Sequence, residues 1–135
     1  MKQHTLTGGQ LIPTAQALGD LANNRLPWKF AFRVRRLAQL FRDYATAYSA
    51  DVQPYFDSYA NEWGEIQGRE KIEAFERSVA HLREQQVVME FEAFSLKDLE
   101  EAFGGRDVEL NPKSLDILIE SGVIIANEEE GGRTS

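Results

Sequence analysis

Apolar and aromatic residues recur every three or four positions over residues 28–63. This spacing is the period of an α-helix that buries one continuous stripe, and at 1.5 Å per residue the helix would be roughly 50 Å long. Pro54 lies inside it, and because proline removes a backbone hydrogen bond, we expect a kink or a restart near residues 51–53. The stripe consists of Phe30, Val34, Leu37, Phe41, Tyr44, Tyr48, Val52, Tyr55, Tyr59 and Trp63.

A second stripe of the same period follows a glycine-flanked connection. Gly64 and Gly68 stand where the chain can reverse. Two facing apolar stripes joined by a short connection predict an antiparallel helical hairpin. The second stripe consists of Ile72, Phe75, Val79 and Leu82.

Shorter elements flank the predicted hairpin. Apolar and polar residues alternate over residues 87–94, which is the period of a strand. A lone strand is unstable, so the N-terminal arm, Gln3 to Ile12, is its predicted partner. Gly8 and Gly9 are a turn signal within that arm, and a modest helix is predicted to open at Pro13.

The C-terminal third predicts two short helices. Ser95 is predicted to cap the first helix, which ends at Gly104. The second helix begins at Asn111 and Pro112, and residues 123–125 are predicted to return to the core. The fold class is therefore α+β, mainly α: a long antiparallel helical hairpin with a small two-stranded sheet and short C-terminal helices. Residues 1–126 are predicted to form a single domain, and residues 127–135 a mobile acidic tail.

Charge is distributed unevenly along this chain of net charge −7. Residues 29–42 carry five cations and no acid, whereas residues 84–130 carry 13 acids and three cations. Either a basic helix lies beside acidic neighbours in the same fold, or the molecule presents two different faces to partners. Nucleic-acid binding is not favoured, because phosphate-binding faces usually belong to basic domains.

The sequence contains no constellation that indicates catalysis. Cysteine is absent, which excludes disulfides and thiolate metal sites. His4 and His81 have no ligand spacing and are predicted to be solvated. We therefore predict no enzyme activity, no catalytic or metal-binding residue and no cofactor. The N-terminus lacks the apolar run of a signal peptide, and no stretch reaches the ~18 apolar residues of a membrane span, so no membrane association is expected.

Two groups of residues are candidates for an interaction surface. Arg33 and Arg36 belong to the basic segment. The other group is aromatic and lies in the outer half of the hairpin, where the second helix offers few large apolar residues to cover it. These side chains either pack within the hairpin or contact another protein or another copy. The aromatic group consists of Tyr48, Tyr55, Phe56, Tyr59 and Trp63.

The order of these features resembles a family of small phage and prophage proteins of unknown function. The resemblance spans about residues 6–125, and this chain departs from it over residues 51–68, where it has Pro54 and aromatic residues. It implies a phage setting, in the host cytoplasm or the virion, and it supplies no catalytic residue. The segments that carry it are GQLI at 9–12, LPWKFAFRV at 26–34, MEFE at 89–92 and LNPKSLDIL at 110–118.

Two functions are therefore expected. In the first, the protein is phage-encoded, is not an enzyme, and binds and modulates or inhibits a host protein of the defence or transcription machinery. In the second, it is a virion structural or assembly component that self-associates through the aromatic half of the hairpin. The predicted partner is accordingly a host or phage protein, or a second copy of the chain.

Overall fold

A computed structural model describes residues 2–104 and 110–125 of the chain. The predicted fold class is confirmed: these residues are mainly helical, with one long helix, a hairpin and a small antiparallel sheet. The predicted tail, residues 127–135, lies outside the described residues. In chain order the elements are β1 (Lys2–Thr7), α1 (Gly8–Ala22), α2 (Trp28–Tyr59), α3 (Arg69–Glu84), β2 (Gln86–Phe91), β3 (Phe94–Ser95), α4 (Leu96–Phe103), α5 (Pro112–Glu120) and β4 (Ile124–Ile125).

The long helix α2 runs without interruption through Pro54, so the predicted restart near residues 51–53 is wrong. Proline removes the N–H that would bond to the carbonyl of Ala50. Ala50 is exposed, so water can satisfy this carbonyl. Contacts with α3 lie on both sides of Pro54, which holds the two segments in one helix. The 32 residues span about 48 Å.

The chain reverses between α2 and α3 where the glycine positions predict, and Asn61, which was not predicted to take part, organises the connection. Its side-chain oxygen accepts hydrogen bonds from the backbone N–H groups of Trp63 (2.9 Å) and Glu65 (3.0 Å). Gly64 and Gly68 have φ values of +76° and +92°, a region that side chains with a Cβ rarely enter. The chain therefore reverses here, and α3 returns antiparallel along the outer half of α2.

The two strands β1 and β2 pair antiparallel, as predicted, with Lys2 opposite Phe91 and Thr7 opposite Gln86. A second pairing was not predicted: β3 and β4 form a short parallel sheet, with Phe94 opposite Ile124. Two-residue strands carry no periodicity that a sequence could reveal. Together the sheets cover one side of the inner half of α2.

The first helix begins at Gly8, five residues before the predicted start at Pro13. The prediction that the arm is extended to Ile12 is therefore wrong beyond Thr7. A Cβ on Gly8 would collide with the carbonyl oxygen of Leu82 in α3 and with the Tyr48 ring in α2. The glycine thus allows β1, α1 and the hairpin to meet closely, which a local turn signal does not indicate.

The core lies where α1, the inner half of α2, the sheets and the C-terminal helices meet. The apolar stripe of α2 is buried only in this inner half, up to Ala45. The two predicted C-terminal helices are confirmed with their caps: Ser95 accepts from the N–H of Asp98, and Asn111 from that of Lys113. Large, fully buried side chains include Leu18, Leu21, Val34, Phe41, Met89, Phe94, Leu118 and Ile124.

Candidate functional site: a groove between helix and strand

Arg33 and Arg36 lie together on one wall of an open groove between α2 and β2. The groove has a volume of about 610 Å³, and none of its lining residues comes from β1. We call it the arginine groove. Its lining residues are Arg33, Arg36, Leu37, Gln39, Leu40, Asp43, Glu90, Phe91, Glu92 and Phe94.

The arginine groove combines an apolar floor with charged side chains of both signs, and Asp43 lies on the same helix wall as Arg33 and Arg36. Leu37, Phe91 and Phe94 are buried side chains whose edges reach the floor. The Arg33 guanidinium lies 4.5 Å from the centre of the Phe94 ring, a cation–π contact that holds it at the rim. Glu90 and Glu92 form the opposite wall. Such a surface can receive an apolar side chain and an adjacent charged group.

The basic segment of α2 is not neutralised within the described part of the fold. The two ion pairs formed between residues of 2–104 and 110–125 are Arg69 with Glu73 and Arg83 with Glu76, and both lie on α3. Glu90 and Glu92 are across the groove from Arg33 and Arg36 without forming a salt bridge to them. The two arginines are exposed, and their charge is available to a partner.

Two large aromatic side chains continue this surface towards the start of α2. Trp28 is 75% exposed and Phe32 is 55% exposed. The Arg36 guanidinium lies 5.6 Å from the centre of the Phe32 ring, so Phe32 adjoins the groove wall. Residues 28, 32 and 36 are four apart and share one helix face. Sequence analysis missed Trp28 and Phe32, although their offset from the buried stripe was a usable signal.

Tyr55, Phe56 and Tyr59, in the outer half of the hairpin, are half-buried, and their described contacts are within the hairpin. Phe56 and Tyr59 both meet the ring of Phe75 edge-on, at centroid distances of 5.9 and 6.4 Å. The Tyr59 hydroxyl lies 3.0 Å from the hydroxyl of Ser78. A single residue of α3, Phe75, therefore covers part of two aromatic rings of α2.

The remaining aromatic candidates differ in their surroundings. Tyr48 packs against the core and lines a second, smaller groove of about 330 Å³ between α2 and α3. Tyr55 meets His81 edge-on at 5.7 Å. Trp63 lies in the connecting loop and is 74% exposed. The five aromatic candidates thus do not converge on one surface, whereas Arg33 and Arg36 do.

The two histidines have different environments. His81 is exposed, as predicted. The prediction that His4 is solvated is wrong: it is half-buried, with its ring stacked on Phe91 at 3.8 Å and its Nε2 atom 3.1 Å from the Phe91 carbonyl oxygen. His4 lies on the core-facing side of β1, where the antiparallel register brings it beside Phe91.

Two further features are absent from residues 2–104 and 110–125. These residues contain no cluster of three or more His, Cys, Asp or Glu side chains that could hold a metal ion. None of the helices they form is long and apolar enough to cross a membrane. Comparison with protein-family models, with curated proteins and with solved structures gives no match to this chain.

Proposed function

We propose that this protein acts by binding another protein through the arginine groove and the adjoining Trp28 and Phe32, without catalysis. The observation that carries the proposal is the coincidence of unneutralised cations, exposed aromatic rings and an apolar floor on one face. Aromatic residues and arginine are the side chains most enriched where binding energy concentrates at protein interfaces.

The partner is proposed to be a host protein that a phage-encoded protein modulates or inhibits in the host cytoplasm. The phage setting rests on the resemblance of segments such as LPWKFAFRV at residues 26–34. The same segment supplies Trp28, Phe32 and Arg33. The partner is proposed to supply an acidic group to Arg33 and Arg36, which form no salt bridge with a residue of 2–104 and 110–125.

Affinity purification with matched charge reversals tests this proposal. Wild-type protein should capture a stoichiometric partner from host lysate, and Arg33→Glu/Arg36→Glu should lose at least about tenfold in affinity for it. Lys71→Glu/Arg77→Glu is the control, because it makes the same change in net charge at exposed positions of α3. Equal capture by both variants would rule out the arginine groove as the binding surface.

The exposed tip of the hairpin favours the second candidate function, a virion component that self-associates. Trp63 is 74% exposed and Ile72 is 45% exposed at the start of α3. Exposed apolar side chains at one end of a molecule can form a contact between copies. Sedimentation of wild type and of Trp63→Ser/Ile72→Ser distinguishes the two: a defined oligomer lost in the variant supports self-association.

A further inference from the structure

The strand β2 has an open edge beside the arginine groove. The backbone N–H of Gly8 donates to the carbonyl of Gln85 at 2.9 Å, which fixes the alternation of the antiparallel pair. Hydrogen-bonded pairs recur at every second position. The N–H and C=O groups of Gln86, Val88 and Glu90 therefore point away from β1. No described residue pairs with these groups.

We propose that the arginine groove receives an extended segment of the partner protein, which adds as an antiparallel strand to the open edge of β2. This inference rests on the proposed function and specifies how the partner is bound. Main-chain hydrogen bonds to Val88 and Glu90 supply affinity, and side chains of alternate residues enter the groove and supply selectivity.

The groove selects the side chains of that segment. Every second side chain of the added strand faces the floor formed by Leu37, Phe91 and Phe94, so these positions are apolar. The intervening side chains lie on the outer face of the sheet beside Val88, which is 55% exposed. An acidic residue two positions from an apolar one faces the groove as well and pairs with Arg33 or Arg36.

The β2 strand of a second copy does not fit the groove. Were β2 of another copy to pair along the same edge, its inward-facing side chains would have to fill the groove. Those of Met89 and Phe91 are 1% and 2% exposed and already occupy the copy's own core. The occupant is therefore a segment whose apolar side chains are free before binding.

The opposite edge of the sheet provides an internal control. On β1 the backbone groups of Gln3, Thr5 and Thr7 point outward, and none of these residues lines the groove. Thr5 stands directly opposite Val88 in the register. Proline is tolerated at edge positions whose N–H faces outward. Thr5→Pro and Val88→Pro thus remove equivalent N–H groups from the two edges.

The experiment uses a capped eight-residue peptide with leucine and threonine alternating and glutamate at both ends. Titration into isotope-labelled protein should shift the amide resonances of Val88, Glu90 and Arg33. Val88→Pro should weaken binding about tenfold or more, because a desolvated hydrogen bond is lost, and Thr5→Pro should leave it unchanged. Melting curves of both variants identify any loss of folding.

Backbone methylation of the peptide tests the same bonds without altering the protein. Residues directly opposite in an antiparallel pair have side chains on the same face, so the threonine N–H groups face β2 and the leucine N–H groups face away. Methylating the threonine nitrogens should abolish binding, and methylating the leucine nitrogens should preserve it. Equal effects of the two methylations overturn strand addition, as does an absence of shifts at about 1 mM peptide.

The proposed function and the proposed strand addition can be overturned independently of each other. A partner whose capture requires Arg33 and Arg36, combined with no effect of backbone methylation, retains the proposed function and overturns strand addition. Concentration-dependent dimerisation that Val88→Pro abolishes also overturns it, because the open edge would then bind a second copy.

Discussion

The two halves of α2 carry similar numbers of aromatic residues but use them differently. In the outer half, Tyr55, Phe56 and Tyr59 contact α3, and only part of each ring meets solvent. In the inner half, one face of the helix is buried in the core while Trp28 and Phe32 on the opposite face are exposed. Aromatic side chains therefore mark intramolecular packing in one half and a candidate interface in the other.

The largest expected effect concerns the buried face of the inner half. Phe41 is fully buried and meets Phe91 edge-on at 5.5 Å. Phe41→Ala should lower the free energy of unfolding by about 3–5 kcal/mol, through lost transfer energy and the cavity left behind. Urea unfolding followed by circular dichroism measures it. A loss below about 1 kcal/mol would contradict the placement of the core.

A smaller effect is expected in the outer half. Phe75→Ala removes the ring that both Phe56 and Tyr59 contact, and should cost about 2 kcal/mol because the site is only half-buried. Partner capture should be unchanged. Unaltered stability together with lost capture would show that the outer aromatic residues form the interface instead.

The hydrogen bond between the Tyr59 and Ser78 hydroxyls is expected to contribute less to stability than the Phe75 ring. Tyr59→Phe removes its hydrogen bond to Ser78 and should cost about 1 kcal/mol. A double-mutant cycle with Ser78→Ala isolates the pair, because Ser78 also donates to the carbonyl of Ala74 at 2.9 Å. A coupling energy near zero in urea unfolding would indicate that water replaces the contact.

The smallest effect on stability is expected on the exposed face of the inner half. Trp28→Ala and Phe32→Ala should each change the free energy of unfolding by no more than about 0.5 kcal/mol, because these rings are exposed. Each should nevertheless weaken partner binding about tenfold or more. Calorimetric titration of the captured partner measures the second quantity. Loss of stability without loss of binding would show that Trp28 and Phe32 contribute to intramolecular packing and not to an interface.

The hairpin, the antiparallel sheet and the two capped C-terminal helices could be predicted because each follows from a local signal. Period, glycine placement and cap residues such as Ser95 and Asn111 act over a few positions. The start of α1 at Gly8 was missed although Thr7 and Gln10 form a capping box, which is a local signal; the close packing of Gly8 against Leu82 and Tyr48 could not be predicted. The uninterrupted α2 likewise depends on packing against α3, which outweighs the local cost of Pro54.

The candidate site was only partly predictable. The run of cations identified Arg33 and Arg36, but the opposite wall comes from Glu90 in β2 and Glu92 just after it, more than 50 residues away in the sequence. The sequence shows how many aromatic rings the outer half contains but not which contacts each ring makes. For that reason the outer aromatic residues were candidates for an interaction surface. Phe75 contacts two of them, which the spacing of residues along α3 does not reveal.

Hydrogen–deuterium exchange of the protein with and without its captured partner tests the central claim most directly. The account predicts added protection at residues 28–40 and 86–95, which border the arginine groove, and unchanged exchange at residues 55–78. Protection confined to residues 55–78 would contradict it and would place the binding surface at the hairpin tip.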